Sequence, residues 1–287
     1  VQIDTAAWHV TGAYGMLGTD LVDTLRGRGA SVVVSDQDTL DITDPSAVRD
    51  GLAGAEVVVN CAAFAAVDAA EGREDEALKV NGHGVGVLAR ECARTGARFV
   101  HISTDYVFMG DASEPYPESA ERDPINAYGR TKAAGEVEVL DSGADALIVR
   151  TSWLYGAHGP CFPTTIVRIA RDQGKVRVVD DQVGQPTWTM DLADLILRLI
   201  EADAPAGVYH GTSSGQTSWF GFAREVVSSA GLPDVVTPCD SATFPRPARR
   251  PSYSVLSHSA LEDIGVAPIG NWLERWREAA RPLLDSV

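Results

Sequence analysis

The sequence predicts an α/β fold, a doubly wound parallel sheet followed by a smaller, irregular C-terminal lobe. Three observations predict it. Short apolar runs alternate with helical patterns through the first half of the chain, the texture of βαβ units. Those runs are almost continuously apolar, as strands buried on both faces are. Beyond Thr151 the pattern loosens, and prolines recur between short helices from Pro160 to Pro268.

Taken in order, Ala7–Thr11 reads as a strand, 15–28 as a helix and 30–35 as a second strand. Residues 44–52 form a helix because Asp44 can cap it and Pro45 suits its first position. Residues 56–61 are a strand, 74–95 one helix, and 98–103 another strand. The stretch 111–126 holds Pro115, Pro117 and Pro124 among acidic residues and reads as a surface loop. A helix over 127–140 and a strand over 146–150 complete the alternation. Helices follow at 191–201 and 218–230, where Trp219, Phe220 and Phe222 read as packing at a helix start. The expected division is a dinucleotide-binding unit over 1–150 and a substrate lobe over 151–287, with some later segments returning to the sheet.

The charge balance narrows the partners. The chain of 287 residues carries 24 basic and 40 acidic residues, a net charge of −16. Such a surface repels nucleic acid and anionic lipid, so an anionic substrate needs a local basic pocket. No apolar run approaches the ~18–20 residues of a membrane span. The opening VQIDTAAWHVTG lacks a signal-peptide pattern, which points to the cytoplasm. Cys61, Cys92, Cys161 and Cys239 show no metal-like spacing and read as reduced thiols. The six histidines also lack ligand spacing, so no metal site and no catalytic histidine is expected; His210 reads as structural.

Three motifs carry chemistry. Gly12, Gly15 and Gly18 lie between the first strand and first helix, within GAYGMLG. Glycines there allow a tight turn and close approach to a pyrophosphate at the helix N-terminus. Asp36 ends the second strand, where an acid binds ribose hydroxyls and favours NAD over its 2′-phosphorylated form. Tyr128 and Lys132 are spaced i, i+4 and share a helix face. With three lysines in the chain, such a pair is rarely accidental. A lysine so placed lowers the phenol pKa and makes the tyrosine a proton donor to a carbonyl oxygen. Ser103 and Thr104 end the strand before STDYVF, either able to hydrogen-bond that oxygen.

A glycine turn, a strand-end hydroxyl, then Tyr and Lys in chain order resemble an extended short-chain dehydrogenase/reductase of Rossmann type. The stretches VVVNCAAFAAVDAAE, HISTDYVFMG, NAYGRTKAAGE, VRTSWLYG, VVDDQVGQPT, GVYHGTSSGQTSWFGFA and PRPARRPSYSVL more narrowly resemble the dTDP-4-dehydrorhamnose reductase family, nearly end to end. The resemblance implies reduction of the C4 keto group of a dTDP-linked 4-keto-6-deoxyhexose by NADPH or NADH. It makes Tyr128 the proton donor, Lys132 its tuning partner and Thr104 the polarising hydroxyl. It places Gly15, Met16 and Leu17 on the pyrophosphate, Asp36, Asp41 and Ile42 beside the adenosine, and Ala62, Ala63 and Ala65 along the cofactor. Thr104, Asp105 and Trp153 match sugar-nucleotide contacts, and Arg249 and Arg250 stand where an arginine can meet the diphosphate. Phe64 departs from the family's usual polar residue. Family members can form a magnesium-linked homodimer through acids of the first helix, and here Asp20 alone is near such a position. Rival readings are a reductase for an amino- or branched deoxysugar, an epimerase or dehydratase with a recycled cofactor, and a non-catalytic nucleotide-binding subunit.

Overall fold

Valine-rich segments supply the sheet: β1 (Ala7–Thr11), β2 (Ser31–Ser35), β3 (Val57–Asn60), β4 (Arg98–Thr104) and β5 (Ala146–Thr151). In the computed structural model, which describes residues 1–285, they run parallel with the strand Gly207–His210. The order is Gly207–His210, β5, β4, β3, β1, β2. Strand order therefore reverses between β1 and β3, and the crevice beyond their carboxyl ends is where such sheets bind ligands.

Both faces of the sheet are covered. One packs Val10, Val57, Val59 and Val100 on helix α1 (Met16–Gly27) and the helix Thr189–Glu201, whose Leu192, Leu195, Ile196 and Leu199 are fully buried. The other packs Val58, Phe99 and Ile148 on the helices Pro45–Gly51 and Val85–Thr95. Asp44 caps the Pro45–Gly51 helix, accepting from the N–H groups of Ser46 and Ala47. A separate apolar cluster joins the helices Phe162–Gln173, Trp219–Ser229 and Trp272–Leu284 around Phe222 and Trp276. The first and last of these were absent from the sequence reading, although Pro163 opens one and Gly174 closes it.

The expected helix over 74–95 is interrupted. Lys79–Gly84 forms a π-helical turn between Glu74–Leu78 and Val85–Thr95. The wider turn brings Asn81 inward, where its amide accepts from Phe64 N–H (2.8 Å) and donates to Phe64 O and Thr131 Oγ1 (both 3.1 Å). Gly135 of the helix Ala127–Asp141 lets this turn approach, because a Cβ there would strike Asn81 O. Among the described residues no helix is long and apolar enough to cross a membrane.

Candidate active site

The glycine turn leaves β1 at the strand-order reversal. Gly12 has φ +64°, and a Cβ on it would sit 2.5 Å from Ala62 N in the loop after β3. Gly18 faces Gly12 O with no room for a side chain. Gly15 precedes α1, whose first turn has no side-chain cap. Its N–H groups remain available to an anion. Close backbone packing at Gly12 and Gly18 shapes this turn, and its free N–H groups fit a dinucleotide pyrophosphate. Met16 and Leu17 follow in the same turn, with Leu17 buried. Ala62 lines the turn, while Ala63 and Ala65 are exposed on the same loop.

Asp36 stands beside this turn, since Ser35 O accepts from Ala13 N–H (3.1 Å). Its half-buried carboxylate accepts from Gln37 N–H (2.7 Å). Asp41 is exposed and accepts from Thr43 N–H and Oγ1 (2.9 and 2.7 Å). The Ile42 side chain is buried in the core, so only its backbone can face a ligand.

Thr104 ends β4, and Tyr128 opens the helix Ala127–Asp141, which Asn126 caps through Gly129 N–H (2.8 Å). Gly129 allows the helix to approach, because a Cβ there would strike Tyr106 O. The Tyr128 phenol lies beside Thr104, and its ring meets Tyr106 edge-on at 6.0 Å. Burial, then the Asp105 carboxylate, push the phenol up to about 12, while Thr104 works the other way. This reverses the expectation that Lys132 lowers it. Lys132 is 2% exposed and donates instead to Ile102 O (2.6 Å), and burial pushes its own pKa down to about 8. Asp105 is 2% exposed and accepts from Thr104 Oγ1 (2.9 Å); burial raises its carboxyl to about 7. Ser103, the other strand-end hydroxyl, points away and donates to Glu136 (2.6 Å).

Next to Tyr106 lies a cavity of about 760 Å³. Its lining includes Lys175, Arg177, Arg246 and Arg250, with no acidic residue among its lining side chains. In a chain of net charge −16 this is the local basic site that an anionic substrate requires. Arg250 is held by Asp68 (3.0 Å) and Ala248 O (2.9 Å). Arg249 is exposed and outside the lining; its carbonyl accepts from Asn126 Nδ2. Trp153 takes φ +45°, rare for a bulky residue, and stacks on Trp219 with centroids 3.6 Å apart. Trp219 therefore lines the cavity rather than serving packing alone, while Phe222 is fully buried as expected.

Residues 8–286 match the family described as RmlD substrate binding domain. A dTDP-4-dehydrorhamnose reductase of Streptomyces griseus is 47% identical, covering 92% of this chain and 90% of that one. The chain belongs to the dTDP-4-dehydrorhamnose reductase family. A dTDP-4-keto-6-deoxy-D-glucose reductase of Streptomyces niveus is also 47% identical, covering 98% of this chain and 99% of its own. The dTDP-4-dehydrorhamnose reductase of Bacillus anthracis, solved in complex with NADP, superposes with TM-score 0.92 at 36% identity, covering 98% and 99% of the two chains.

Asp20 of α1, the acid considered for a metal-linked dimer, is turned into the protein. It is 3% exposed, accepts from Thr189 Oγ1 and lies 3.3 Å from His158. No cluster of His, Cys, Asp or Glu among the described residues has metal-holding geometry. Sequence reasoning missed Asn81, Lys175, Arg177 and Arg246. Asn81 had no local signal, because its role depends on a π turn. The three cations come from separate segments that only folding assembles.

Proposed function

We propose that this chain is an oxidoreductase that reduces the C4 keto group of a dTDP-linked 4-keto-6-deoxyhexose with NADPH or NADH. One observation carries the reading: Thr104 and Tyr128 stand side by side near a cavity lined by four cations and no acid. The glycine turn and the uncapped start of α1 would hold the pyrophosphate, and Asp36 the adenosine ribose. When bound, the reduced nicotinamide supplies the hydride.

This chain's own groups handle the oxygen. With its pKa raised, the Tyr128 phenol is protonated at neutral pH and able to give its proton to the forming alkoxide. When Asp105 is protonated, the Thr104 hydroxyl no longer has to donate to it and can polarise the same oxygen. The phenolate left behind is disfavoured by an ionised Asp105, so a protonated Asp105 assists the step. Lys132 supplies the cation on the same helix. Arg250 and its cationic neighbours suit a diphosphate, which a guanidinium binds through paired N–H groups. The relatives named above act on different 4-keto sugars at equal identity, so the sugar is set by pocket shape.

The test is loss of nicotinamide absorbance with dTDP-4-keto-6-deoxy sugars, with and without an added 3,5-epimerase, each cofactor separately. Stoichiometric oxidation supports the reductase. Cofactor binding without oxidation of any plain 6-deoxy sugar favours an amino- or branched-sugar substrate or a non-catalytic subunit. Turnover without net oxidation favours the epimerase or dehydratase reading.

A further inference from the structure

Behind Lys132 lies a buried polar line that the mechanism above does not use. Thr11, Asn60 and His101 stand side by side on β1, β3 and β4, in register across the carboxyl end of the sheet. They are 1%, 1% and 0% exposed. Thr11 Oγ1 donates to Asn60 Oδ1 (2.7 Å), and the Asn60 amide nitrogen lies 3.2 Å from His101 Nδ1. His101 Nε2 lies 3.5 Å from Lys132 Nζ. The imidazole stacks on Phe99, with ring centroids 6.2 Å apart.

The proton positions along this line follow from one backbone group. Ala62 N–H points at Asn60 Oδ1 (3.1 Å), and a backbone amide can only donate. The atom facing Ala62 is therefore the amide oxygen, and the –NH₂ of Asn60 faces His101. Nδ1 must accept, so a neutral imidazole carries its proton on Nε2. That N–H points at Lys132 Nζ. An ammonium there offers only further donors, and 3.5 Å is a separation that two opposed donors tolerate; an amine would accept the proton.

We propose that His101, its tautomer fixed by Asn60, is a positioning residue that disfavours the charged form of Lys132 and so sets how readily that lysine gives up a proton. The other titratable groups around Lys132 are Glu136 and Tyr128, each one turn away on its own helix, and the Cys61 thiol after β3. Glu136 and Cys61 act in the opposite direction, favouring the ammonium. His101 is itself held neutral, chiefly by burial and secondly by Lys132. The line begins at the loop that packs on Gly12, so the lysine's proton affinity is tied to the geometry of the pyrophosphate turn. The proposal takes from the proposed function only the participation of Lys132, and its test needs no turnover.

The sequence has three lysines, Lys79, Lys132 and Lys175. In the full-length chain labelled at lysine ¹³Cε, three resonances are expected, and the one lost in Lys132→Met belongs to Lys132. His101→Phe keeps a ring over Phe99 but removes the facing N–H. The Lys132 pKa then rises by about one unit, a tenfold gain in proton affinity. If burial alone governs Lys132, the more apolar phenylalanine moves the pKa down or leaves it unchanged, and either result overturns the proposal. A second measurement needs no variant: two-bond ¹H–¹⁵N correlations of wild-type His101. The Nε2–H tautomer is expected from pH 5 to 9, and the Nδ1–H tautomer would overturn the assignment even if His101→Phe failed to fold.

Discussion

Replacing Glu136 by glutamine tests how the helix that carries Tyr128 and Lys132 is anchored. Glu136 is fully buried and takes both oxygens to Arg150, at 2.8 and 2.7 Å, with Arg150 only 2% exposed. Ser103 donates to the same carboxylate at 2.6 Å and Arg122 lies 3.4 Å away. Glutamine preserves shape but removes the charge and turns an N–H₂ toward donors. A buried guanidinium is then left without its counter-ion, which costs about 3–5 kcal/mol. For a chain of this length that lowers the thermal midpoint by about 5–10 °C. Scanning calorimetry or a dye-based melt of wild type and Glu136→Gln reads it directly. The control is Glu136→Leu with Arg150→Met, which removes both charges and regains most of the loss, because a buried pair is worth little against apolar packing. Arg150 also stacks on Phe108 at 4.8 Å and donates to Glu118 O, so full recovery is not expected. A midpoint within 1–2 °C of wild type for Glu136→Gln, or a double variant no better than the single, would refute this reasoning.

Three further outcomes follow from the site. An unfolded aspartate ionises near pH 4, whereas folded Asp105 holds its proton to about 7. Between those values the folded state binds the extra proton, so stability falls as pH rises through that window, by up to about 4 kcal/mol. Asp105→Asn flattens this dependence in denaturant midpoints measured at pH 5 and pH 8, and an unchanged slope would count against it. Residues 29–48 contain four aspartates and no lysine or arginine, so Gln37→Arg should strengthen NADPH binding roughly tenfold in a fluorescence titration and leave NADH nearly unaffected. Equal gains for both would mean the substitution does not meet the 2′-phosphate. Arg250→Ala should raise KM for the sugar nucleotide roughly ten- to hundredfold while the nicotinamide Kd holds, as loss of a charged hydrogen bond predicts; a changed cofactor Kd with normal KM would place Arg250 elsewhere.

Much of the sheet was legible because its signals are local. Val57, Val58 and Val59 can be buried on both faces only within a covered parallel sheet, and Asp44-Pro45 marks a helix start by itself. Tyr128 and Lys132 were legible as a pair because helical spacing puts them on one face. Their electrostatics were not. Whether Lys132 acts on the phenol depends on Ile102 O and His101, contributed by another strand, and the rise in the phenol comes from burial and Asp105. The π turn was hidden because Lys79–Gly84 keeps a helical composition, and its cause, the approach of Gly135, lies more than fifty residues away. The cavity's cations were hidden for the same reason, with Lys175 and Arg177 brought near Arg246 and Arg250 only by tertiary packing.

The most direct test of the central claim follows the hydride. With nicotinamide cofactor deuterated at C4 and an epimerised dTDP-4-keto-6-deoxy sugar, the reductase account predicts one deuterium at C4 of the product, seen by NMR. It also predicts that Tyr128→Phe binds cofactor normally but turns over about 10²–10⁴-fold more slowly. Product without deuterium at C4, or a Tyr128→Phe variant with wild-type turnover, would contradict it.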